Sequence, residues 1–123
     1  MKITRFESLY SKEAMGVIDA AEWVKAIRDG EFKTVVEQIR ECLAQGKKDA
    51  ASALKRKLHA VVVAGDCRKG RFYGKTTDRT GWAMFDIDNM DPDMVELIRE
   101  LFIRCPWVVM VHVTSSGRGL RIV

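Results

Sequence analysis

A chain of 123 residues has room for one domain and little more, and its 47% hydrophobic content supplies a core of its own. Nine glycines and two prolines exclude collagen-like and low-complexity architectures, while a formal charge of +4 alone excludes no class of partner. No apolar run approaches the ~18 residues of a membrane span. The first five residues open no signal peptide. The three cysteines (Cys42, Cys67, Cys105) form no CxxC pair, so they read as free thiols and the chain as cytoplasmic.

The N-terminal half reads as helical. Asp19 is placed to cap a helix over 20–29, with Trp23, Val24 and Ile27 on one side and Gly30 as the stop. A second helix is expected over 31–45, where Phe32, Val35, Val36, Ile39 and Leu43 recur at helical spacing, and a third over 48–57. The period then changes. Residues 59–64 (HAVVVA) form a short β-branched run of the kind found in buried strands, followed by a loop over 65–79.

The last third has the sharpest signals. Residues 82–88 read as a strand. Asp91-Pro92-Asp93 is a helix start, with Met94, Leu97, Ile98, Leu101 and Phe102 as the helix's apolar face and Pro106 beyond its end. A strand over 107–114, a turn at Ser115–Gly119 and a strand from Leu120 complete the pattern. The expected fold is α/β: a helical lead-in (1–57) packed on a β-α-β-β core (58–123) of split βαβ, ferredoxin-like type. Ending mid-strand at Val123, the sequence reads as a domain of a longer protein.

Charge is unevenly spread. Residues 47–79 hold ten basic side chains against three acidic ones, a pattern suited to a phosphate-rich partner because each cation set on a phosphate releases counterions. Arg68, Lys69, Arg71, Lys75 and Arg79 are the candidate nucleic-acid contacts, with Phe72 and Tyr73 placed among them to stack on bases or to anchor the loop.

Two motifs carry chemistry. Alternation puts Asp86 and Asp88 on one strand face, with Phe85 and Ile87 directed to the core. Two carboxylates so close suit a hard divalent cation, Mg²⁺ or Mn²⁺, whose remaining coordination positions accept phosphates; the plainer role is one helix cap and one solvated acid. In Ser115-Ser116-Gly117-Arg118-Gly119-Leu120-Arg121, the glycines permit close approach of a phosphate, Ser116 offers a hydroxyl and Arg121 a bidentate contact, unless the segment is a simple hairpin turn. Gly70 and Gly74 have three residues between them where a phosphate loop has four, which excludes that motif. His112, inside an apolar strand, reads as a hydrogen-bonded sheet residue.

Residues 58–65 (LHAVVVAG), 80–89 (TGWAMFDIDN) and 114–121 (TSSGRGLR) together resemble the N-terminal domain of virulence-associated protein E-type proteins, itself similar to the archaeo-eukaryotic primase (primase–polymerase) core. Ala26–Gly30, Arg40 and Leu54-Lys55 resemble that family's helical lead-in. The resemblance implies a metal-dependent nucleotidyltransferase in which Asp86 and Asp88 form the first, metal-binding motif. Ser116, Gly117, Gly119 and Arg121 match the second, nucleotide-phosphate motif. It further implies nucleoside triphosphates and a DNA or RNA strand as partners, a helicase-like region downstream, and a place in the replication protein of a mobile element, phage or plasmid. Arg121 stands where active members carry a His, and a third carboxylate motif is not found, so this segment is expected to bind a metal–nucleotide weakly and not to polymerise alone. The rival reading is a non-catalytic, RRM-like module that holds single strands through the basic region. An aspartate-nucleophile phosphohydrolase, suggested by Asp86-x-Asp88, would need Thr or Val where Met90 stands.

Overall fold

In the first residues the chain already departs from the helical reading. Lys2–Phe6 is a strand, β1, and Gly16–Asp19 a second, β2, which pairs with it antiparallel from Lys2 opposite Asp19 to Arg5 opposite Gly16. The computed structural model describes residues 1–71 and 73–123, with Tyr73 by its backbone alone. Among these it is a mixed α/β protein of four helices and two antiparallel three-stranded sheets, in two compact units, Met1–Trp82 and Ala83–Val123. None of its helices is long and apolar enough to cross a membrane.

In the first unit β1 is the central strand, flanked by β2 and by β3 (Ala60–Val62). The β-branched run that the sequence assigns to the C-terminal core therefore pairs with the N-terminus instead. β1 lacks the alternation of a half-exposed strand because it is covered on both faces: Ile3, Thr4 and Phe6 are all fully buried. Thr4 is tolerated there because its hydroxyl donates to the Gly65 carbonyl (2.8 Å) and accepts from the Cys67 amide (2.9 Å).

The helices follow expectation. α1 (Ala20–Arg28) begins at Asp19, whose Oδ1 accepts from the Ala21 amide (3.0 Å) while Glu22 reaches back to the Asp19 amide, a capping box. α2 (Lys33–Ala44) and α3 (Lys48–Lys55) pack on each other, with Ile39 and Ala51 buried. The Arg5 guanidinium lies against the Trp23 and Phe32 rings, pairs with Glu31 and donates from Nε to His59 Nδ1 (2.9 Å).

The second unit runs β4 (Phe85–Ile87), α4 (Pro92–Ile103), β5 (Val111–Val113) and β6 (Leu120–Ile122), with strand order β4-β6-β5. Because β6 is antiparallel to both neighbours, β4 and β5 are parallel and separated by it, which is the split βαβ arrangement expected. Asn89, at φ 55°, turns the chain out of β4, a conformation Asn tolerates better than most residues. Asp91 then caps α4, accepting from the Asp93 amide (3.0 Å), with Pro92 at the first position.

Two details of the sequence reading are corrected. The helix face on the sheet is Val95, Ile98 and Phe102; Met94, Leu97 and Leu101 are exposed. The helix is apolar over two adjacent stripes, each spaced i, i+3, i+7, and sequence periodicity alone cannot say which one the sheet takes. Phe85 is 54% exposed, so of the two apolar residues of β4 only Ile87 joins the core of Met90, Val95, Leu120 and Ile122.

Candidate functional site

Strand alternation divides the second sheet into two faces. Ile87, Leu120, Ile122, Val111 and Val113 belong to the core with α4. The other face carries the polar members of the same strands. Asp86, Arg121 and His112 stand directly opposite one another across β4, β6 and β5.

The Asp86–Arg121 pair is bidentate: Nε donates to Oδ1 and Nη2 to Oδ2, both at 2.8 Å. Each holds the other in its charged form. The guanidinium's hydrogen bonds keep the Asp86 carboxyl below the usual carboxylate range, and the carboxylate raises Arg121 further. Arg121, assigned from sequence to phosphate alone, is thus a partner of the first motif as well. The Asp88 carboxylate makes no hydrogen bond or ion pair among the described residues.

The second motif is tied to the first. The Met90 amide donates to the Arg118 carbonyl (2.9 Å) and Arg118 Nε returns a bond to the Met90 carbonyl (3.2 Å), which fastens the turn between β5 and β6 to the exit of β4. Gly117, at φ 76°, makes that turn, its amide bonded to the Thr114 carbonyl (2.9 Å). Gly119 is needed for a different reason. A Cβ there would stand 2.5 Å from the Ile87 carbonyl oxygen, 2.9 Å from Thr114 Oγ1 and 3.2 Å from Asp88 Oδ1. Ser116 Oγ lies 3.1 Å from Thr114 Oγ1 and accepts from the Arg118 amide (3.3 Å), so its hydroxyl helps to build the turn. Thr114 was not singled out from the sequence; a threonine ahead of a Ser-Gly turn is the signal that marks it.

His112 also gains meaning from register. Its Nδ1 faces the Val113 carbonyl (3.1 Å), and with the proton there the lone pair sits on Nε2, which is shielded from solvent and has no partner among the described residues. Burial, helped by the Arg121 charge, pushes the imidazole below its ordinary value and so favours its neutral form.

These residues suit a hard divalent cation in part. Among the described residues no group of three or more His, Cys, Asp or Glu gathers as a ligand set, so the protein offers two carboxylates. Asp88 is without an ion pair among the described residues, the bare Gly119 backbone packs close beside it, and the remaining coordination positions would fall to water and phosphate oxygens, as is usual for Mg²⁺.

The basic candidates lie in the other unit and are used unequally. Arg71 is engaged in the fold: its guanidinium lies 3.8 Å from the Phe6 ring centroid and donates to the Leu9 (2.5 Å) and Ser8 (3.0 Å) carbonyls. Arg68 is paired with Asp66 (2.7 Å). Lys69, Lys75 and Arg79 are exposed. Phe72 and the Tyr73 side chain, the expected stacking pair, lie outside the described residues.

A family model described as BT4734-like, N-terminal domain, matches residues 53–123, more than half of the chain. No curated protein and no solved structure matches it.

Proposed function

The chain belongs to the BT4734-like N-terminal domain family, and from its two motifs we propose that Ala83–Val123 is a primase–polymerase-like nucleotide site within a cytoplasmic replication protein of a mobile element, phage or plasmid. The observation that supports this reading most is the joining of the two motifs on one sheet face, Asp86 and Asp88 beside Gly119 and Arg121, with Met90 and Arg118 bonded to each other. Asp86 and Asp88 are the residues that would hold Mg²⁺ or Mn²⁺, and such a cation, when bound, neutralises triphosphate charge for attack by a 3′-hydroxyl. The chain's own residues do the rest by positioning. Gly119 lets the backbone lie close against Ile87 and Asp88, Arg121 offers a planar cation to phosphate oxygens, and the Met90–Arg118 bonds hold the turn beside the carboxylates. A nucleic-acid strand and a helicase-like region elsewhere in the protein complete the set of partners.

A Mn²⁺ titration by calorimetry, with and without ATP, tests the reading on the wild type and on Asp86→Ala/Asp88→Ala. Binding enhanced by nucleotide and lost in the double variant is the expected result. Equal behaviour of the two proteins would reject the site. Strand binding that survives in the double variant, and weakens on charge reversal at Lys69 and Lys75, would then establish the RRM-like module in its place.

A further inference from the structure

We propose that Arg121 is an internal counter-cation that must leave Asp86 before this carboxylate can take a divalent cation, and that a nucleotide's phosphates receive the guanidinium as it leaves. The inference rests on the reading of Asp86 and Asp88 given above and adds its regulation: cation and nucleotide bind as a coupled pair, each weakly without the other.

Three observations carry it. First, the guanidinium engages both oxygens of Asp86, at 2.8 Å each, while Asp88 makes no hydrogen bond or ion pair among the described residues and acts on Arg121 only through its charge; the two carboxylates of the motif are therefore not equivalent. A divalent cation placed on Asp86 with the pair intact would lie close to a permanent positive charge, and the repulsion opposes its binding. Second, the pair is neither sealed nor fully solvated: the side chains of Arg121 and Asp86 are 36% and 34% exposed. A deeply buried pair would resist exchange and a fully exposed one would hardly compete; this pair can open at modest cost. Third, the charge sum reverses with occupancy. Asp86, Asp88 and Arg121 together carry −1, which favours a cation; with a divalent cation they carry +1, which favours an anion. The fork that fits a carboxylate in two parallel bonds also fits a phosphate, so the released Arg121 exchanges one bidentate acceptor for another. By linkage, the factor by which nucleotide tightens the cation equals that by which the cation tightens nucleotide.

The test uses the full chain. In Arg121→Gln, Mn²⁺ alone is expected to bind about tenfold tighter than in the wild type, the order expected for loss of one competing charge-assisted pair at a partly exposed position. The enhancement by ATP should shrink by a similar factor. Arg121→Lys, which keeps the charge and loses the fork, should fall between. Circular dichroism confirms that each variant is folded. A second readout needs no variant. The Arg121 Nε–H resonance of the wild type should shift on adding Mg²⁺ with ATP, as its bond to Asp86 is exchanged. Mn²⁺ binding that depends on Asp86 and Asp88 yet has the same affinity in Arg121→Gln, or an Arg121 Nε–H signal unmoved at saturating Mg²⁺ and ATP, would overturn the exchange and leave the site standing. Absence of any binding that depends on Asp86 and Asp88 would overturn both.

Discussion

Gly119 shows how little space separates the two motifs. Its backbone needs no special conformation, so the cost of a side chain there is steric: the 2.5 Å approach to the Ile87 carbonyl leaves no room for a methyl group. Gly119→Ala is expected to destabilise the protein by about 1–3 kcal/mol, read as a lowered denaturant midpoint. The histidines set a second residue-scale property. Burial holds His59 and His112 below their ordinary value of 6.5, and each has a neighbouring arginine that adds to the effect. The unfolded chain therefore takes up protons first, and stability should fall as pH drops below about 6.5 toward the folded values. The slope should flatten in His59→Gln/His112→Gln, measured by urea unfolding from pH 7.5 to 5. Asp86 works in the opposite sense. Its depressed carboxyl contributes stability above the ordinary carboxylate range and loses it only as pH falls through the lower folded value, so it leaves the histidine window undisturbed.

Elements were legible where local chemistry names them. Asp19 with Glu22 and Asp91 with Pro92 are cap signals that need no tertiary context, and α1 and α4 begin where those residues stand. β1 was illegible because Ile3, Thr4 and Phe6 are buried by partners far along the chain, Gly65 and Cys67 among them. The site was half legible. Asp86, Asp88 and the Ser-Gly turn declare themselves by residue type, whereas the Asp86–Arg121–His112 alignment exists only once β6 enters between β4 and β5. The two stripes of α4 give the prediction at this scale. Val95→Ala should cost about 1–3 kcal/mol, while Leu97→Ser and Leu101→Ser should each stay within about 0.5 kcal/mol, as denaturant titration would report.

At the scale of the whole molecule, chain order and spatial order disagree in the second unit. The last strand is the middle one: Leu120 and Ile122 are fully buried, and every backbone pairing of β4 and β5 within the sheet is made to β6. A chain ending at Ser115 should therefore lose the sheet signals of Ala83–Val113 in NMR spectra while keeping those of β1, β2 and β3, which pair without it. The position of β6 also has a consequence in time. During synthesis β4, α4 and β5 leave the ribosome with no strand to join, and the 35-residue separation between Asp86 and its Arg121 partner must close before the pair forms. Until then Asp86 is without its Arg121 partner, so a nascent or prematurely released chain carries the two acids without the arginine that faces them.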